Sequence, residues 1–199
     1  MFAYFRGILR DKTPTYAVIE CQGVGYLLNI SLNTFTQLPD PGTDTPVEAM
    51  LYAYPIVRED SHQLFGFTTT EERDLFAHLI SVSGVGANTA RMILSAMQPD
   101  GLVHAIVSGD AASLSRIKGI GSKTASRIIL DLKDKAGSMR GPGGISAGMH
   151  NTVQEEALSA LLMLGFSRAP AEKALQRVQK EKGAALSLED WIKAALRFL

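Results

Sequence analysis

The chain has 199 residues, of which 46% are apolar, enough for one large globular domain or for two or three small ones. Twenty Lys and Arg balance twenty Asp and Glu, so net charge neither selects nor rejects a nucleic-acid partner and only its distribution informs. The single cysteine, Cys21, excludes an internal disulfide, no apolar run reaches membrane-spanning length, and Arg6 and Arg10 interrupt the N-terminal apolar residues that a signal peptide would keep continuous. A soluble, cytoplasmic protein is expected. Charge is unevenly spread: residues 1–65 hold four basic and seven acidic groups, 66–140 nine and seven, and 141–199 seven and six.

From residue 2 to 67 the chain is rich in β-branched and aromatic residues and is cut by turn formers. The segments FAYFRGILR, TYAVIECQ, VGYLLNIS, VEAMLYAYPIV and HQLFGF read as strands. Breaks are expected at Asp11 to Pro14, at Gly23, across PDPGTDTP and at Arg58 to Ser61. Five short strands predict a small barrel, and the five-stranded OB-fold is the commonest such barrel that touches nucleic acid. Glu59 and Asp60 fall between the last two strands, where adjacent carboxylates by themselves mark only a solvated turn.

Thr69 and Glu72 have capping-box spacing and open a helical region that runs to residue 137. It contains an internal repeat. VSGVGANTARMI (82–93) aligns without gaps on IKGIGSKTASRI (117–128), pairing Gly84 with Gly119, Gly86 with Gly121, Thr89 with Thr124, Ala90 with Ala125 and Ile93 with Ile128. Residues 138–151 are glycine-rich and read as a flexible linker. Residues 152–199 read as a three-helix domain, with cap signals at Thr152 and Glu155, at Ser167, and at Ser187 and Asp190. Its apolar stripes are Leu158, Leu161, Leu162 and Phe166, then Ala171, Leu175 and Val178, then Trp191, Ala195 and Leu196.

The repeat carries the chemistry. Paired glycines can turn the chain sharply, Val85 and Ile120 can anchor each turn inward, and the free N–H groups at Ala87 to Thr89 and Ser122 to Thr124 lie at helix starts that favour an anionic oxygen. One Gly-x-Gly would be only a tight turn. Two, each followed by Thr and Ala, look like paired helix-hairpin-helix motifs that grip DNA phosphates. Arg116, Lys118, Lys123 and Arg127 surround the second copy, with no acidic residue between 111 and 130. Asn88 replaces Lys123 in the first copy, which predicts a weaker grip there.

Other chemistries fit poorly. GIGSKT lacks the glycine directly before Lys that a P-loop needs, so ATP hydrolysis is not expected. His62, His78, His104 and His150 lack paired ligand spacing, no GxSxG elbow occurs, and neither metal nor other cofactor is expected. A DNA glycosylase would need a catalytic Asp or Lys in a base pocket; Asp131 and Lys133 read instead as a solvated helix face.

In order and length, these parts resemble the RuvA family over essentially the whole chain. The resemblance rests on GVGY (23–26), VREDSHQLFGF (57–67), SGVGANTA (83–90) and KGIGSKTA (118–125). It implies a mixed β and α multidomain chain: an OB-fold barrel (1–67) for assembly and DNA contact, a double helix-hairpin-helix domain (68–137), the linker, and a three-helix, ubiquitin-associated-like domain (152–199). It implies a non-catalytic subunit that binds four-way DNA junctions as a homotetramer, with a second tetramer closing over the DNA left open. The implied DNA contacts are Ser83, Gly84, Val85, Gly86, Ala87, Asn88 and Thr89, and Lys118, Gly119, Ile120, Gly121, Ser122, Lys123, Thr124 and Arg127. Glu59 and Asp60 become an acidic pin at the centre of the DNA face. Leu161, Leu164, Gly165 and Phe166 become the docking site for the ATPase RuvB, and the resolvase RuvC is a further candidate partner. Asn88 and Lys118 stand where the family often has a lysine and a proline.

The residues leave two other classes open. A single-strand-binding barrel would stack bases on Tyr4, Tyr16, Tyr26, Tyr52 and Tyr54, whereas an adaptor would bind protein through its tail and use the barrel only as a scaffold.

Overall fold

The computed structural model describes residues 1–42, 45–133, 152–182 and 186–199, and the chain divides into two units, 1–144 and 145–199. In the first unit, β1 (Tyr4–Lys12), β2 (Tyr16–Cys21), β3 (Val24–Asn29), β4 (Glu48–Val57) and β5 (His62–Phe67) close a barrel in the order β1-β2-β3-β5-β4. Alternation along the strands sends Phe5, Leu9, Ala17, Ile19, Leu28, Leu51 and Ala53 into its core. The first strand runs two residues past its expected end at Arg10. A register shift between Leu9 and Asp11 carries β1 on to Lys12, and the turn begins only at Thr13, whose hydroxyl accepts from the Tyr16 N–H at 3.1 Å.

One element had no periodic signal. Helix α1 (Leu32–Gln37) spans six residues, too short for a hydrophobic stripe to declare itself, and only the Ser31 cap, accepting from the Thr34 N–H at 3.0 Å, marks its start. Tertiary contacts hold it: the Asn33 amide donates to the Leu94 and Met97 carbonyls.

Strand β4 outlasts its first partner. The β1 register ends at Tyr52, so Tyr54 to Val57 pair only with His62 to Phe65 of β5, as a two-stranded ribbon. Pro55 is tolerated on that open edge. The Arg58 N–H donates to the Ser61 carbonyl at 2.8 Å and closes the turn, leaving Glu59 and Asp60 exposed at the tip.

Five helices follow: α2 (Thr70–Ile80), α3 (Ala87–Ala96), α4 (Pro99–Ser108), α5 (Ala111–Ser115) and α6 (Ser122–Lys133). Phe76 of α2 lies 4.8 Å from the ring of Phe65 and 5.1 Å from that of Phe67, so barrel and helices share apolar packing. The expected capping box at α2 forms by half. Thr69 Oγ1 accepts from the Glu72 N–H at 3.2 Å, but the Glu72 carboxylate, 1% exposed, turns inward to accept from the hydroxyls of Ser31 and Thr34.

Burial holds the Glu72 carboxyl above its ordinary range, with the two hydroxyl donors opposing. The folded protein therefore binds this proton more tightly than the unfolded chain. The associated stability is complete below the ordinary glutamate range, about pH 4.3, and is lost as pH rises through the folded value. Glu72→Gln should accordingly gain on the parent as pH rises, read as the difference in melting temperature across a pH series. Glu72→Ala should be destabilising throughout, since each orphaned buried hydroxyl costs about 1–3 kcal/mol.

The second unit contains α7 (Thr152–Met163), α8 (Arg168–Lys182) and α9 (Leu188–Ala195) around Ala157, Leu161, Ala171, Ala174, Leu175, Val178 and Trp191. Ser187 caps α9, its hydroxyl accepting from the Asp190 N–H at 3.2 Å. Leu162 and Leu196, expected in the apolar stripes, are exposed at the edge of this small core. The linker at 138–151 and the side chains of Thr152 and Glu155 lie outside the described residues. Among the described residues no helix is long and apolar enough to cross a membrane.

Candidate nucleic-acid interface

The two repeats have the same backbone bonds. In the first, Val82 N–H donates to Leu79 O (3.1 Å), Val85 to Val82 (3.0 Å) and Ala90 to Gly86 (2.9 Å); in the second, Ile117 donates to Leu114 (3.1 Å), Ile120 to Ile117 (3.0 Å) and Ala125 to Gly121 (2.9 Å). Val85 and Ile120 are buried in the helical core and pin each turn from below. Asp110 caps α5, accepting from the Ser113 hydroxyl and then from its N–H; these bonds hold its carboxyl below the usual carboxylate range. A short first helix for the second hairpin is fixed in this way.

The two glycines of each turn have different duties. Gly84 and Gly119 have φ of +89° and +88°, where an L side chain is strained. Gly86 has an ordinary extended φ of −85° and Gly121 no positive φ, and a Cβ on either would meet nothing within 4 Å. Gly84→Ala and Gly119→Ala should therefore each lower stability by about 1 kcal/mol or more. Gly86→Ala and Gly121→Ala should leave melting unchanged and act only on a ligand approaching the helix N-terminus. Equal melting losses at all four positions would refute the division.

The tips of the two hairpins line one depression. Ser83 and Gly84 from the first share it with Ser122, Lys123, Thr124, Ser126 and Arg127 from the second, and the Arg127 guanidinium donates to the Ser83 carbonyl at 3.4 Å. Exposed Ser126 was missed in the sequence; it follows Ser122 by one helical turn. Exposed Asn88 and half-buried Thr89 and Ala87 form the first turn of α3. The only cation of α3, Arg91, is committed to the barrel through Thr15 O at 2.9 Å and Asn29 Oδ1 at 3.3 Å, and desolvation lowers its pKa. The nearby positive charge thus comes from α6.

The four cations around the second hairpin do not form one cluster. Lys123 and Arg127 line the shared depression, whereas Arg116 and Lys118 line a separate groove with Leu32, Met92 and Met97. The separation follows from the turn itself: residues before Gly119 flank α3, and those after Gly121 belong to α6.

The five tyrosines do not all lie together. The Tyr16 hydroxyl donates to Asp11, which raises its pKa, and Tyr26 packs on Phe5; Tyr4 faces Tyr52 across β1 and β4 and Tyr54 follows on the same face, with Tyr52 under the Arg73 guanidinium and Tyr54 edge-on to Phe76. In the tail, Leu161 is fully buried and unavailable to a partner, which removes it from the expected docking set. Leu164 is 62% exposed and neighbouring Met163 89%. Gly165 takes φ +96° to end α7, and Phe166, half-buried, folds back with its N–H on the Leu161 carbonyl.

Comparison with known proteins matches residues 1–66 to the RuvA N terminal domain, 76–134 to the SAM-like helix-hairpin-helix tandem, and 152–199 to the RuvA C-terminal domain. A protein of Christiangramia forsetii described as Holliday junction branch migration complex subunit RuvA is 48% identical over the full length of both chains. Proteins of the same description from Bacteroides fragilis and Flavobacterium psychrophilum are each 45% identical, again over the full length of both chains.

Proposed function

The chain belongs to the RuvA family, and from that premise we propose that it binds four-way DNA junctions as a non-catalytic subunit of a cytoplasmic branch-migration complex. The observation that carries this reading is the shared depression in which the turn of the first hairpin, at Ser83 and Gly84, meets the N-terminus of α6 beside Lys123 and Arg127. Backbone N–H groups and hydroxyls there suit phosphate oxygens and read no base, so recognition would follow DNA shape. Ser83 to Thr89 and Gly119 to Thr124 are the proposed contacts, with Lys123 and Arg127 supplying charge. Lys118 would take part only from the neighbouring groove.

In a homotetramer, four such faces would repeat around a junction of four arms, and several weak phosphate sites would add through avidity. Glu59 and Asp60, at the ribbon tips, would stand at the crossover. The tail would recruit an ATPase motor of the RuvB type through Leu164, Gly165, Phe166 and the adjacent Met163; a resolvase of the RuvC type would meet the assembled complex.

The decisive experiment is a gel-shift comparison of four-way junction, duplex and single strand at equal salt. Junction preferred over both is the expected order. A preference for single strand would favour the stacking barrel, and no DNA binding would favour the adaptor. In the same assay Lys123→Ala should reduce the slope of log affinity against log salt by about 0.9, the release of one phosphate contact. An unchanged slope would remove Lys123 from the interface.

A further inference from the structure

We propose that the solvent face of α8 in the tail is a second contact for the DNA backbone, separate from the hairpins; the proposal rests on the DNA-binding reading above. Lys173, Arg177 and Lys180 lie at i, i+4 and i+7 and so share one face of the helix. That face is opposite Ala171, Ala174, Leu175 and Val178, which are buried in the tail's core. The three cations line one groove, together with Pro170 and Phe198, and the Arg177 guanidinium sits 6.0 Å from the centre of the Phe198 ring.

Charge decides the occupant. Two other exposed cations of this unit are partly neutralised, Arg168 by Glu172 at 2.8 Å and Lys193 by Glu189, while exposed Arg197 lies outside the groove. Lys173, Arg177 and Lys180 have no ion-pair partner among the side chains described, which exclude that of Glu181, and no Asp or Glu lines their groove. At 1.5 Å per residue they span about 10.5 Å along the helix and present one row of positive charge. The phosphates of a duplex arm complement that charge. Beside Phe198, Pro170 and Leu199 the groove offers as apolar lining only the small side chains of Ala169 and Ala174, so its three cations are its main recognition groups. Tethered to the hairpin unit, such a site would add affinity that ignores base sequence and junction shape, so preference for junctions would stay with the first unit.

The test uses the full chain carrying Lys173→Gln, Arg177→Gln and Lys180→Gln, which keeps an unbranched polar side chain with good helix propensity and removes charge. Trp191, the single tryptophan and buried in the tail's core, reports by its emission whether the tail remains folded. Junction and duplex affinities are measured from 50 to 200 mM salt. The expected result is a slope shallower by about two to three units for both DNAs. Across that salt range this means about a fifteen- to sixtyfold smaller loss of affinity than the parent shows. Should the triple variant disturb Trp191 emission, Lys180→Gln alone decides the matter, with an expected slope change of about 0.9. An unchanged slope with unchanged emission overturns the proposal and leaves the groove to an acidic protein partner. Lys123→Ala measured alongside separates the two failures. If it lowers the slope while the tail variants do not, only the tail site is lost; if the parent itself binds no DNA, the DNA reading falls and this site with it.

Discussion

A chain ending at Gly143 is expected to keep its preference for junctions over duplex and to support no ATP-driven branch migration. The hairpins, the ribbon and the barrel lie in the first unit, with apolar clusters built from residues up to Leu132. The tail has a separate cluster from Ala157 to Ala195. Removing 144–199 therefore takes no side chain from the DNA-binding cores. It takes away Met163 and Leu164, the exposed apolar pair proposed to hold the motor. A protein partner gains most from such desolvated anchors, so losing both should reduce migration to the background of the motor alone. Strand exchange on a mobile junction, with the motor supplied, measures it. Full-rate migration by the shortened chain would end the docking proposal.

Point variants separate docking from folding within the tail. Leu164→Glu adds a charge at an exposed position and should abolish migration with little change in melting. Leu161→Ala instead opens a cavity in a small core and should cost about 2–5 kcal/mol, so any migration defect there follows from unfolding.

These two leucines mark how far the sequence could be read. Both lie in LLMLGF, and a motif assigns the segment to a partner without saying which side chains face out. Helical phase decides that: Leu161 points among Ala157, Ala171 and Val178, and Leu164 emerges one turn later beside a left-handed Gly165. The repeat was legible in detail because its glycines, Thr and Ala recur in step, and the backbone bonds recur with them. Opaque features came from tertiary context. Glu72 has a local partner in Thr69, yet its carboxylate serves Ser31 and Thr34, which are distant in sequence. Arg91 lies in the first hairpin's second helix but spends its charge on the barrel. Neither contact leaves a pattern along the chain.

Removing charge from the acidic tip is the change expected to separate junction recognition from generic DNA binding most sharply. Strand β4 runs on past the end of its β1 pairing, so the β4–β5 ribbon carries Glu59 and Asp60 away from the barrel's closed wall. Both carboxylates are exposed, and Arg58 beside them forms no ion pair with either. In a tetramer four tips would gather eight carboxylates around one axis, inside a face otherwise attractive to phosphates. A continuous duplex laid across that centre brings its phosphates against them, at about 1 kcal/mol per charge pair 4 Å apart in water. An open junction can keep its backbones at the rim and leave the centre free. Repulsion of the wrong substrate is then the source of preference, with no new attraction to the right one. Glu59→Gln with Asp60→Asn should tighten duplex binding more than junction binding and narrow the preference by about tenfold, or about 1.4 kcal/mol. Screening shortens the reach of the repulsion to about 10 Å at 0.1 M salt, so the narrowing should be largest at low ionic strength and fade as salt rises. Competition between labelled junction and unlabelled duplex across a salt series gives both numbers at once. A double variant that keeps the parent's full preference at low salt would reduce Glu59 and Asp60 to a solvated turn and place junction selectivity in the spacing of the hairpins alone.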